Sequence, residues 1–112
     1  LLLPRMNNDR SLSWIPWDGR EDLLARTKNH HEPIGNVFGG AIDLFIVPAL
    51  AVDKYGYRLG QGGGSYDRAL AGATGWKIAL INDNELLAEP LPVESHDQPV
   101  NAVATPSRLV RF

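Results

Sequence analysis

The feature that most constrains this chain is a glycine-rich stretch, Arg-Leu-Gly-Gln-Gly-Gly-Gly-Ser-Tyr-Asp-Arg, that runs from Arg58 to Arg68. An apolar run, 44–52, precedes it, and residues 65–71 after it are predicted to form a helix. Glycine permits positive φ and close approach of the backbone to a ligand. Successive N–H groups can then converge on an anion, and the start of a helix adds further donors. The stretch therefore predicts an anion site, to which Arg58 and Arg68 would add charge-assisted contacts.

Two familiar phosphate-binding motifs do not match this stretch. No Gly-Lys-Ser/Thr follows, as a P-loop would require, and Ser65 stands where the dinucleotide fingerprint has its third glycine. The structural alternative is a flexible glycine hinge before a helix. A hinge needs no flanking charges, so the neighbouring arginines and Asp67 favour a binding site.

Composition narrows the class of protein. The 112 residues are enough for one small domain, and 44% hydrophobic with 21% charged residues is ordinary for a globular protein. The net charge of -2 predicts no general affinity for nucleic acid or for an anionic membrane. The absence of cysteine excludes disulfides and thiolate catalysis. No apolar run approaches the ~20 residues that span a bilayer. We therefore expect a cytoplasmic protein without nucleic-acid or membrane partners.

The first third of the sequence predicts a small β structure. Residues 1–3 are predicted to end a strand that Pro4 stops, and the polar–apolar alternation of 11–17 predicts a second strand, which could pair with the first as a hairpin. Residues 21–28 are expected to form one or two helical turns. His30-His31-Glu32 invites a metal interpretation, but adjacent side chains point in different directions and no third ligand follows, so a solvated loop is preferred.

The remainder predicts an α/β pattern. Residues 44–47 form an unbroken apolar run, as expected for a strand covered on both faces. The small residues of 49–52 could admit a ligand or could simply pack tightly. Further strands are predicted at 76–81, 100–104 and 109–110, and a loop at 91–99. In open α/β sheets ligands bind beyond the carboxyl ends of the strands, and the glycine stretch lies past such an end.

The glycine stretch resembles the signature of the 5-formyltetrahydrofolate cyclo-ligase family, also called methenyltetrahydrofolate synthetases. Similar residues occur in segments 3–6, 32–33, 43–53 and 91–97, although the family often has tyrosine where this chain has Ser65. The resemblance implies that residues 1–112 are a single α/β domain, the C-terminal portion of a longer cyclo-ligase-like domain. A start at Leu1 inside a predicted strand favours the same expectation. The implied fold is a three-layer, mostly parallel sheet flanked by helices, of the NagB/RpiA/CoA-transferase-like architecture.

The resemblance also implies a reaction. ATP phosphorylates the formyl oxygen of 5-formyltetrahydrofolate, the neighbouring folate nitrogen closes the ring, and phosphate leaves to give 5,10-methenyltetrahydrofolate. The implied partners are a reduced folate and ATP, with Mg²⁺ as the cofactor. Catalysis would rest on positioning and charge neutralisation. That suits a chain with no cysteine and no strong nucleophile motif.

The resemblance assigns separate roles to the residues that match the family's motifs. Arg58 and Tyr66 would position the reactants. Magnesium would bind Asp67 and Asp97. The substrate would contact Gly62, Gly63, Gly64 and Tyr66, and ATP would contact Arg58, Leu59, Gly60, Gln61, Gly62, Gly63, Gly64, Ser65 and Tyr66.

Each of the two central side chains also has a structural alternative. Asp67 could only stabilise the start of its helix, and Tyr66 could pack on Leu70 one turn away.

Two alternatives from other classes stay open. A sugar-phosphate isomerase or transferase of related architecture would bind a phosphate ester without ATP or metal. A non-catalytic nucleotide- or folate-binding fragment would bind without turnover.

Overall fold

The computed structural model describes residues 1–26 and 31–112 of the chain. The chain divides into two compact units, Leu1–Gly40 and Ala41–Phe112, and each is described by itself. Within the described ranges, no helix is both long enough and apolar enough to cross a membrane.

The first unit consists of two small antiparallel sheets. Its strands are β1 (Leu2–Met6), β2 (Leu12–Pro16), β3 (Leu24–Arg26) and β4 (His31–Pro33), with a 3₁₀ helix at Glu21–Leu23. β1 pairs with β2, and β3 pairs with β4. The predicted hairpin is therefore confirmed, and Ile15 of β2 is fully buried.

Three local predictions for this unit need correction. Pro4 does not stop the first strand: it lies inside β1 opposite Trp14, where a two-stranded ribbon tolerates a residue without an N–H. The helical turns predicted over 21–28 amount to one 3₁₀ turn followed by β3, and residues 27 and 28 lie outside the described residues. His31 and Glu32 belong to β4 and not to a loop, and His30 lies outside the described residues.

The second unit combines seven strands with one short helix. Its elements are β5 (Leu44–Pro48), β6 (Ala51–Asp53), β7 (Arg58–Leu59), α1 (Ser65–Leu70), β8 (Trp76–Leu80), a 3₁₀ helix (Asp83–Glu85), β9 (Leu86–Leu87), β10 (Ala102–Ala104) and β11 (Leu109–Arg111). The predicted α/β class is confirmed. The helix predicted after the glycine stretch is also confirmed, and Gly72 follows it at φ +74°, as expected of a residue that terminates a helix.

The larger sheet has the order β11-β10-β8-β5 and is mostly parallel. β5 pairs with β8 and β8 with β10 in parallel, whereas β11 is antiparallel to β10 at the edge. The prediction that β5 is covered on both faces is wrong for the described part of the chain. Phe45 and Val47 are buried, but Leu44 is 53% and Ile46 59% exposed. β5 is the other edge strand and buries one face of its apolar run.

A second sheet, of order β7-β6-β9, carries the glycine stretch. β6 pairs antiparallel with β7 and parallel with β9. The strand that leads into the glycine residues is thus β7, and β6 and a turn intervene after β5. Ala51 and Val52 are buried in β6, so the structure confirms tight packing for these two of the small residues in 49–52.

Candidate anion- and metal-binding site

The glycine loop, defined here as residues 60–64, connects β7 to α1. Gly62 has φ +96°, and Gly64, the residue before the first turn of α1, has φ +70°. A Cβ atom at either position would meet no other atom within 4 Å, so the backbone angle and not lack of space calls for glycine. The loop is therefore built as a turn of unusual backbone conformation, as the sequence predicted.

Arg58 lies beneath this loop and is nearly inaccessible to solvent. Its side chain is 6% exposed, and its Nη2 lies 3.3 Å from Oδ1 of Asp67. Nη1 donates a long hydrogen bond of 3.4 Å to the Pro48 carbonyl. The guanidinium also stands over the Tyr66 ring, 5.6 Å from its centroid, at a distance typical of a cation–π contact. Arg58 therefore joins β7, the end of β5 and the first turn of α1.

The pKa of Tyr66 is affected both by its burial and by its contact with Arg58. Burial raises the pKa of the Tyr66 hydroxyl above its ordinary value of 10.0, and the positive charge of Arg58 acts in the opposite direction. The phenol is consequently protonated at neutral pH. It can serve as a neutral hydrogen-bonding group and as a ring surface, but not as a base.

The segment 91–100, which carries Asp97, meets the first turn of α1. The Gln98 N–H donates to Oδ1 of Asp67 at 3.1 Å, so Asp97 is the residue next to this contact. Asp97 is itself held in a local turn, because its Oδ2 accepts the Glu94 N–H at 2.8 Å. The structure thus brings the segment that carries Asp97 against the side chain of Asp67, through a contact that spans 31 positions of the chain.

These donors suit a metal that relies on other ligands as well. Within residues 1–26 and 31–112, no group of three or more histidine and carboxylate side chains is arranged to hold an ion. Mg²⁺ usually takes one or two carboxylates and completes its shell with phosphate oxygens and water. Asp67 and Asp97 supply oxygen donors of the type that such a site takes, and Oδ1 of Asp67 already accepts from Arg58 and Gln98.

Two polar atoms beside the loop have unused hydrogen-bonding capacity. Nε of Arg58 and Oγ of Ser65 are buried without a hydrogen-bond partner among the described residues. Such atoms are uncommon in folded proteins and call for an explanation such as a bound ion or water. Both flank the glycine loop, so the unpaired capacity is concentrated where the sequence predicts an anion.

Two further residues bear on the site. Arg68 is exposed and directly follows Asp67 in α1, so the two side chains leave the helix in different directions, and the role of Arg68 beside the anion stays a prediction. Asp53, which sequence reasoning did not select, is fully buried next to the site. An aspartate that precedes a glycine turn, here Asp53 to Gly56, is a signal that could have found it.

Comparison with known proteins identifies the family of the chain. A model of the 5-formyltetrahydrofolate cyclo-ligase family matches residues 1–106. The chain belongs to this family. The match extends over both compact units and includes the glycine loop, Asp67 and Asp97.

Individual relatives carry the same name. A 5-formyltetrahydrofolate cyclo-ligase of Mycolicibacterium smegmatis is 52% identical over 71 residues, which are 62% of this chain and 36% of that protein. The Escherichia coli K12 cyclo-ligase is 36% identical over 106 residues, 88% of this chain and 58% of the relative. The chain therefore spans roughly a third to three fifths of the length of these relatives.

Solved structures show the same fold. A 5,10-methenyltetrahydrofolate synthetase of Aquifex aeolicus superposes with a TM-score of 0.79 at 28% identity and covers 98% of this chain and 57% of that one. A second synthetase, from Mycoplasma pneumoniae, gives a TM-score of 0.67 at 22% identity, with 91% and 53% of the two chains covered.

Proposed function

We propose that the complete protein containing this chain converts 5-formyltetrahydrofolate to 5,10-methenyltetrahydrofolate with hydrolysis of ATP to ADP and phosphate. The observation that carries the proposal is the buried Arg58 with its unpaired Nε, set beneath a loop with positive φ at Gly62 and Gly64. Such a constellation suits an anionic ligand that meets a fixed cation and backbone N–H groups together. Membership of a family with this activity in its name supports the choice of reaction.

The chemistry asks the protein for positioning more than for a nucleophile. The formyl oxygen attacks the γ-phosphorus of ATP, and the bond to ADP breaks. The neighbouring folate nitrogen then attacks the formyl carbon, loses its proton and expels phosphate. Arg58 would stabilise the charge on the transferred phosphoryl group, and the protonated Tyr66 would offer its ring and hydroxyl to the bound reactants.

The remaining residues keep the roles that the family resemblance implies. The backbone of the glycine loop would hold the ATP phosphates together with Arg58, Leu59, Ser65 and Tyr66, and the folate would approach Tyr66 and the glycines at 62–64. α1 has only six residues, so loop amides and Arg58, not a helix dipole, would contribute most of the binding. Asp67 and Asp97 would hold Mg²⁺, which when bound would neutralise phosphate charge.

The larger context is part of the proposal. We propose that both compact units belong to the C-terminal portion of one cyclo-ligase domain, because the family match spans both. In that domain the larger, mostly parallel sheet would be the central layer of a three-layer NagB/RpiA/CoA-transferase-like architecture. The protein would act in the cytoplasm on small molecules.

A turnover assay tests the proposed function. The complete reading frame is expressed, and methenyltetrahydrofolate formation is followed with ATP and Mg²⁺. We expect product that depends on both ATP and a divalent cation, with one ADP released per turnover. Phosphate-ester binding without ATP use would favour the isomerase class, and binding of ATP or folate without product would favour a non-catalytic module.

The backbone of the glycine loop can be tested separately. We expect Gly62→Val to weaken binding of a non-hydrolysable ATP analogue by about tenfold or more, because a β-branched residue resists the φ of +96° and the loop must change shape. Gly39→Val is the matched control, since a Cβ there also meets open space and Gly39 has no positive φ. Calorimetric titration measures both variants. Wild-type affinity in a folded Gly62→Val protein would identify the loop as a hinge.

A further inference from the structure

Asp53, the last residue of β6, is a fully buried carboxylate that accepts hydrogen bonds from backbone amides. Its Oδ1 accepts the N–H groups of Tyr55 at 2.9 Å and Tyr57 at 3.0 Å. Its Oδ2 accepts the Leu91 N–H at 2.8 Å, across 38 positions of sequence. The side chain therefore shapes the turn 53–57 with one oxygen and binds the start of segment 91–100 with the other.

The far end of the same segment is attached to the same turn. The Val100 N–H donates to the Gly56 carbonyl at 2.8 Å. Gly56 has φ +88°, and a Cβ atom on it would lie 2.7 Å from the Val100 carbonyl oxygen, closer than real contacts allow. Segment 91–100 is thus fastened at both ends to turn 53–57, and only glycine fits at the second attachment.

This arrangement joins the two walls of the candidate site. Turn 53–57 continues directly into Arg58, which pairs with Asp67. Segment 91–100 carries Asp97 and the Gln98 amide, which donates to Asp67 from the other side. The position of one wall relative to the other is therefore fixed through Asp53 and Gly56.

We propose that Asp53 is a positioning residue: it holds segment 91–100 so that the Gln98 amide meets Asp67 and Asp97 lies beside the ion site. The inference rests on the proposed function for its effect on Mg²⁺, and on the structure alone for its effect on the segment. A buried carboxylate is costly unless its oxygens are hydrogen-bonded, and three amide donors offset that cost here. A neutral asparagine keeps the shape but can turn only one acceptor oxygen toward donors on two sides.

The first test measures how firmly segment 91–100 is held, in the absence of any substrate. Amide hydrogen exchange is followed by NMR in the complete protein and in its Asp53→Asn variant. We expect exchange at Gln98 to become about tenfold faster or more, corresponding to the loss of one charge-assisted hydrogen bond. Amides of β8 and β10 should keep their protection, which shows that the fold is intact. Asp43→Asn, a substitution of an exposed aspartate in the same unit, should change neither the exchange at Gln98 nor the protection of β8 and β10. Unchanged exchange at Gln98 in Asp53→Asn would overturn the proposal.

A second variant removes the same hydrogen bond from the opposite side. Leu91→Pro deletes the donor N–H and leaves the carboxylate in place, in a position already flanked by Pro90 and Pro92. It should speed exchange at Gln98 to a similar degree as Asp53→Asn, and the double variant should add little. Additive effects would mean that Asp53 does not act through Leu91, which contradicts the proposal.

The last measurement connects the segment to the ion. We expect Asp53→Asn to raise the Mg²⁺ concentration for half-maximal turnover by about tenfold, with a smaller change at saturating Mg²⁺. Faster exchange at Gln98 with an unchanged Mg²⁺ requirement would overturn the positioning role. If the wild-type protein shows no turnover, the proposed function fails, and the exchange experiments still decide whether Asp53 positions the segment.

Discussion

Asp67→Asn is expected to remove most of the turnover of the complete protein and to raise its Mg²⁺ requirement. The carboxylate faces Arg58 at 3.3 Å and the Gln98 amide at 3.1 Å, and it is the proposed ligand of the ion. Charge-assisted hydrogen bonds contribute about 1.5–3 kcal/mol each, so the loss of one in the transition state corresponds to about a 10- to 100-fold lower rate. The asparagine keeps the size of the side chain, so the fold should persist.

The measurement is initial rate against Mg²⁺ concentration, accompanied by thermal unfolding. Asp43→Asn serves as the control for loss of one negative charge in the same unit. A normal rate with an unchanged Mg²⁺ dependence would leave Asp67 with only its structural contacts to Arg58 and Gln98, and the proposed ion site would be wrong.

Single substitutions at Arg58 and at Asp67 are expected to lower the free energy of unfolding by unequal amounts. Asp67→Leu leaves the Arg58 guanidinium, 6% exposed, without its carboxylate partner and with only the long hydrogen bond to the Pro48 carbonyl. Arg58→Leu leaves a carboxylate that is 18% exposed and still accepts the Gln98 N–H at 3.1 Å. Removal of one member of a buried pair costs about 3–5 kcal/mol. We expect Asp67→Leu to approach that range, and Arg58→Leu to lower the free energy of unfolding by only about 1–3 kcal/mol because of the remaining contact and exposure.

The double variant separates stability from binding. Replacement of both partners by apolar residues is often neutral, so Arg58→Leu with Asp67→Leu should recover much of the stability lost in Asp67→Leu. It should nevertheless fail to bind an ATP analogue, because the cation beneath the glycine loop is gone. Urea unfolding and calorimetric titration give the two quantities. Retained affinity in the double variant would exclude Arg58 as a phosphate-binding residue.

Local patterns in the sequence were sufficient for several elements of the fold. Alternation in 11–17 predicted β2, the apolar run at 44–47 predicted β5, and Gly72 marked the end of α1. Pro4 misled because a proline is excluded from a central strand but not from a two-stranded ribbon, and the pairing partner is not visible in the local sequence. β5 misled for a similar reason: its apolar run does not record whether the strand lies at the centre or the edge of a sheet.

The candidate site shows the same limit: local sequence predicts residues that are close in the chain, but not residues that only the fold brings together. Arg58 and Asp67 are 9 positions apart, so one glycine loop and one helical turn bring them together, and the charges around that loop predicted a site. Asp97 entered only through the family resemblance, because no local pattern places segment 91–100 against α1. The turn from Asp53 to Gly56 could have drawn attention to Asp53, but its contact with Leu91, on which the proposed role depends, exists only in the tertiary structure.

The attachments of segment 91–100 have a consequence for the order of folding. The bond from Leu91 to Asp53 closes a separation of 38 positions, and the bond from Gln98 to Asp67 closes one of 31. A contact between residues far apart in sequence forms only after the intervening chain has lost the conformational entropy of closing a long loop, so we expect these contacts to form late. The β6–β7 turn and α1 can form locally. During synthesis the glycine loop would therefore emerge well before the residues that complete its site. In the finished protein, release of this one segment would remove one side of the proposed ion site while the sheets stay folded.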